Sequence, residues 1–148
     1  MGGDAPHGAL PEGAVTHADA KGIRVRPGVE ADLERVHTIE VASFADPWAL
    51  DGFRDILRHP RARLDVAVDL TGDVLGYFVA WFVADESEIA NLAVAPEARR
   101  LGIGALLLDG VLATAMPRGV RSVFLEVRES NVAAQALYLS RGFAVAGR

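Results

Sequence analysis

Cysteine is missing from the 148 residues, which removes disulfides, thiolate metal sites and cysteine nucleophiles together. Lysine is almost missing too. Lys21 is the only one, so a nucleotide loop ending Gly-Lys-Ser/Thr has no place later in the chain. No apolar run reaches the ~20 residues that a membrane-spanning helix needs. Positive charge is in deficit, with 15 Lys+Arg against 20 Asp+Glu and a formal net charge of -5. That argues against a broad nucleic-acid surface and favours a cationic peptide or amine as partner. The four histidines, His7, His17, His37 and His59, show no ligand spacing, so no metal is expected. The serines at 43, 87, 122, 130 and 140 lack a His/Asp pattern, which leaves a serine hydrolase unsupported.

What is there suits one compact domain: 51% hydrophobic and 24% charged residues, in a length that buries a core of ordinary size. These features together fit a cytoplasmic protein. Residues 1–22 are rich in Gly, Ala and Pro without periodicity or a secretory pattern, and are expected to be a disordered tail. The folded domain is expected over 23–148. "IRVR" alternates as a short strand, and "GVEADLERVHTIEVASF" sets Val29, Leu33, Val36, Ile39 and Phe44 near one helical face. "DPWALDGFRDILRHP" predicts a second helix from near Pro47, closed by Pro60.

"LDVAVDL" and "VLGYFVAWFV" predict a hairpin about the turn "TGD", and "IANLAVA" a third strand. A helix follows to about Met116, then the strand "RSVFLEVR", the helix "NVAAQALYLSRGF" and the start of a last strand in "AVAGR". This order predicts an α/β fold, a mixed twisted sheet with helices on both faces. Its strand-helix-strand units should be parallel and right-handed.

The glycine turn lies where such sheets bind ligands, at the carboxyl end of a strand. In "NLAVAPEARRLGIGALLL" an apolar strand meets Pro96, an arginine pair, Gly102 and Gly104, and then a helix. Glycines let backbone N–H groups approach a ligand closely, and the helix start adds unpaired donors and a positive dipole end. A dinucleotide fingerprint needs a third glycine where Leu107 stands. The remaining pattern is Gln/Arg-x-x-Gly-x-Gly/Ala behind Val-x-Pro, filled by Arg99, Gly102 and Gly104 after Val94 and Pro96. By itself this segment also reads as a glycine helix start packed on a strand.

Two side chains suit acid-base work. Glu126 sits in "VFLEVR" on one strand face with Phe124 and Arg128, either as a base whose pKa is raised by apolar surroundings or as a structural partner of Arg128. Tyr138 lies seven residues after Asn131 on the final helix, either as a proton donor or as a core aromatic. Trp48 either borders a groove or covers core. The run "RDILRHPRAR" at 54–63 reads as a solvated helix end, or as a contact to a phosphate or a ribosome.

"DPW" at 46–48, "NLAVAPEARRLGIGALLL" at 91–108 and "LEVRESNVAAQALYLSRGF" at 125–143, in that order, resemble the GCN5-related N-acetyltransferases (GNAT). The likeness is to the RimI type, which acetylates the N-terminal alanine of a small-subunit ribosomal protein. It runs from about Ile23 to Phe143 and implies an acetyl-CoA-dependent enzyme. By the resemblance, Arg99 belongs to the signature, and Arg100, Leu101, Gly102, Ile103, Gly104 and Ala105 give the pyrophosphate its backbone cradle. Leu92, Ala93 and Val94 line the pantetheine arm and offer an N–H to the thioester carbonyl, and Asn131 bonds that arm. Glu126 takes the general-base role, through water, and Tyr138 the general acid.

RimI-type chains continue past "GF" through a strand, a loop and a last strand, whereas this sequence stops at Arg148. The C-terminal strand is therefore expected to be missing, leaving the strand of Glu126 with an open edge that a second copy could cover as a homodimer. Two other functions stay open: a GNAT enzyme acting on a lysine side chain, polyamine or aminoglycoside, and a non-catalytic acyl-CoA-binding module.

Overall fold

The computed structural model describes residues 17–18, 21–126 and 132–144. Within them the chain forms β1 (His17–Ala18), β2 (Arg24–Pro27), α1 (Leu33–Ser43), α2 (Leu50–Arg58), β3 (Ala62–Val68), β4 (Val74–Val83) and β5 (Glu86–Val94). It continues with α3 (Ile103–Ala115), β6 (Ser122–Leu125) and α4 (Val132–Ser140), and short 3-10 turns precede α1 and flank α3. The six strands lie in one sheet in chain order, antiparallel from β1 to β5 and parallel between β5 and β6.

β4 shows how the sheet divides two helical layers. Its residues alternate between faces, as pleating requires. Tyr77 meets Glu40 of α1 and the ring of Phe53 of α2. Gly76 faces Ile103 and Leu107 of α3, and Phe78 lies by Gly110. A Cβ on Gly76 would stand 2.8 Å from the carbonyl oxygen of Ala93 on β5 and 3.0 Å from Leu107 Cδ1 of α3, so the glycine is what lets β4 and α3 close up. β3, between β2 and β4, is buried along its whole length. The α3 residues Leu106, Leu107, Leu108 and Val111 complete the core.

The strand-helix-strand unit β5-α3-β6 is parallel as predicted, while β2 and β3, joined through two helices, are antiparallel neighbours. One helix returns the chain to run the same way again, whereas the pair α1 and α2 reverses it twice. Two expectations change. Residues 1–22 are predicted to be a disordered tail, yet the backbone of His17–Ala18 pairs with Val25 and Arg24. Second, α1 buries Leu33, Val36 and Ile39 as predicted, but the next stripe position is Glu40, 1% exposed, while Phe44 is 39% exposed. A helical stripe returns at the seventh residue, and seven after Leu33 is Glu40.

The predicted strand in "AVAGR" and its absent neighbour lie outside the described residues. Among those, β6 pairs with β5 alone.

Candidate active site

The site forms where β5 leaves β6. Pairing between them stops at Ile89 and Leu125. The next residue, Ala90, is an extra one opposite β4, because Val79 pairs with Asn91 while Ala80 pairs with Ile89. Such a bulge re-aims the strand. Residues 91–94 keep their β4 partners, and their other edge has no strand on it among the described residues. A cleft of about 1440 Å³ opens there.

The turn before α3 supplies donors. Arg100 (φ 69°) and Gly102 (φ 78°) are both left-handed, a conformation that glycine takes freely and arginine at a cost. Among the described residues, no acceptor takes the backbone N–H groups of residues 99–105, and the first helical bond runs from the N–H of Leu106 to the carbonyl of Gly102. Free amides converging on a helix start suit an anion. Neither Arg99 nor Arg100 forms an ion pair with another described residue.

Leu92, Ala93 and Val94 line the cleft along β5, and Arg99, Arg100, Gly102, Ile103, Gly104 and Ala105 line it at the turn. Glu126, just past the end of β6, and Tyr138 on α4 line the same space. Leu101 does not, and stands 43% exposed. It lies between the two left-handed residues, which carry its side chain outward and leave its backbone as its contribution. Asn131 lies outside the described residues. Gly104 has a second duty, since a Cβ there would stand 3.2 Å from Leu137 Cδ2 of α4.

Glu126 differs from its expected setting. The strand ends before it at Leu125, and the residue is exposed, so a wet cleft wall rather than an apolar strand face surrounds it. Tyr138 is half-buried against Phe143, ring centroids 5.9 Å apart. Burial raises its phenol above the ordinary range, which keeps it protonated and able to donate at neutral pH. The run at 54–63 does not reach the cleft. Arg54 pairs with Glu30 and Asp51, and Arg63 with Asp65.

The opposite wall went unrecognised in the sequence apart from Trp48. Glu40, Ser43, Phe44, Asp46, Trp48 and Asn91 line it. Trp48 does both things considered for it, bordering the cleft and packing on Phe53 at 5.5 Å between centroids. The cleft therefore runs from an arginine-bearing, amide-lined end to a wall carrying the carboxylates Glu40 and Asp46, with Glu126 and Tyr138 on the same cavity.

The family model described as Acetyltransferase (GNAT) family matches residues 33–143. The chain belongs to the GNAT family. It is an N-acetyltransferase by that membership and by its relatives. One is the putative [ribosomal protein bS18]-alanine N-acetyltransferase of Bacillus subtilis (strain 168), 34% identical over 117 residues, 78% of this chain and 77% of that protein. Another is the [ribosomal protein bS18]-alanine N-acetyltransferase of Escherichia coli (strain K12), 35% identical over 112 residues, 76% of this chain and 74% of that protein. Among solved structures, the ribosomal-protein-S18-alanine N-acetyltransferase from Escherichia coli superposes with a TM-score of 0.76 at 32% identity. That match covers 83% of this chain and 78% of the other.

Proposed function

We propose that this GNAT enzyme moves the acetyl group of acetyl-CoA onto the N-terminal α-amine of a protein, with alanine as the first residue and a small-subunit ribosomal protein as acceptor. The observation that carries the reading is one cleft lined by both an amide-rich turn before α3 and the pair Glu126 and Tyr138. The relatives, named for alanine N-acetylation of bS18, support the acceptor. A ribosomal-protein acceptor puts the enzyme in the cytoplasm.

In this reading Arg99, Arg100 and the amides of 99–105 hold the diphosphate. The open edge of Leu92, Ala93 and Val94 takes the pantetheine arm, with Asn131 bonding it, and turns one N–H toward the thioester carbonyl, where negative charge develops. An α-ammonium with a pKa of about 7.7–8 needs only a modest base. Glu126 takes its proton through water. The amine forms the new C–N bond directly, the C–S bond breaks, and Tyr138 gives its proton to the departing sulfur. No covalent enzyme intermediate is involved.

The test is an alanine-initiated peptide mixed with acetyl-CoA, with free thiol and peptide mass followed. Release of coenzyme A with acetylation of the terminal amine is the expected result; neither above background would overturn the reading. Glu126→Gln and Tyr138→Phe are each expected to lower kcat by about 100-fold, with acetyl-CoA affinity unchanged.

A further inference from the structure

Glu40 has no part in the acid-base chemistry, yet it is the most enclosed polar group on the cleft. It sits on the core-facing stripe of α1 at 1% exposure, where a leucine would avoid the cost of burying a carboxylate. Three donors from three parts of the chain offset that cost. The Tyr77 hydroxyl of β4 donates to Oε1, as does the Asn91 side-chain amide of β5 at 2.8 Å, and the Trp48 backbone N–H donates to Oε2 at 2.9 Å. Tyr77 is a permanent donor, since burial and the adjacent carboxylate push its phenol far above the ordinary range.

Two of these donors line the cleft from different parts of the chain. Trp48 lies in the segment 44–49, whose other residues are exposed, and Asn91 directly precedes the residues proposed to hold the pantetheine arm. We propose that Glu40 is a positioning residue for the acceptor: its carboxylate ties the 44–49 wall to β5 and thereby sets the gap in which the amine meets the thioester. The inference rests on the acetyl-transfer reading above. Misplacement by about 1 Å is enough to cost such a reaction heavily. The amide-rich turn before α3 makes none of these bonds, so acetyl-CoA binding should be indifferent to Glu40.

Glu40→Gln keeps the volume and breaks part of the tie, because one end of the amide must present N–H groups to donors. The expected result is a rise of about tenfold in the KM of an alanine-initiated peptide. The acetyl-CoA dissociation constant, read by calorimetry, should stay within about twofold. Tyr77→Phe, which loses one donor and keeps its ring on Phe53, should show the same split in smaller degree, and it decides the matter if the glutamine variant does not fold.

A peptide KM within about twofold of the parent, or peptide and cofactor affinities falling together, would assign Glu40 to fold stability alone and overturn the proposal. Transfer by the unaltered chain separates the two ideas. With transfer present and peptide KM unmoved, only the role of Glu40 falls; with no transfer to the peptide, the functional reading falls and takes this one with it.

Discussion

At the scale of single residues, the two glycines of the turn do different work. Gly102 needs its left-handed backbone, and an added Cβ there would meet nothing within 4 Å. The penalty of Gly102→Ala is therefore conformational, about 1 kcal/mol. The same strain should re-aim the amides and weaken acetyl-CoA. Urea unfolding and calorimetry check both effects, and a variant as stable as the parent would show that φ is not what fixes this residue. Gly104 has ordinary backbone and a neighbour in the way, so Gly104→Ala acts instead by displacing Leu137. The place of Glu126 and Tyr138 on the cleft was legible because each sits in a motif of contiguous residues. Glu40 was not. It follows Glu30 and Glu34 in a stretch where carboxylates read as a solvated face, and its partners Tyr77 and Asn91 are 37 and 51 positions away. Only the seven-residue return from Leu33 hinted at burial.

At the scale of elements, hydrophobic period and punctuation located every predicted helix and strand that the structure describes, and the differences lie in how they join. The bulge at Ala90 carries no glycine or proline to announce it, yet it is what frees residues 91–94 for a ligand. β3 offers the other lesson. The sequence starts this strand at Leu64, which leaves Arg63 in a basic surface run, but the strand begins at Ala62. Residues 63 and 65 then share a face. Arg63 Nε donates to Asp65 Oδ1 at 2.7 Å, with both side chains buried. Removing Arg63 takes two charge-assisted hydrogen bonds from the buried Asp65 carboxylate, so Arg63→Ala should cost about 3 kcal/mol in chemical denaturation. Arg63→Met combined with Asp65→Leu should recover most of that. If the double substitution proves as damaging as the single one, the pair is not the reason for the loss.

At the scale of the whole molecule, the scarcities of the sequence become an experiment. The chain has 2 tyrosines, Tyr77 and Tyr138, and burial raises the phenol of both. With no cysteine and one lysine, little else titrates near a pH of about 10. A group whose folded pKa exceeds its unfolded value of about 10 contributes its full stability below that pH and loses it as pH rises toward the folded value. For Tyr77 the loss should approach about 1.4 kcal/mol per pH unit, because only the unfolded state releases the proton. Tyr138, half-buried, adds less because solvent screens it. Urea midpoints should therefore hold up to a pH of about 10 and fall steeply above it, and Tyr77→Phe should flatten that slope. In a Tyr138→Phe background, phenolate absorbance should appear together with unfolding and not before it. A gradual rise there near a pH of about 10 with the fold intact would mean that water reaches the Tyr77 hydroxyl, and the enclosed Tyr77–Glu40 contact at the heart of the acceptor wall would fall with that result.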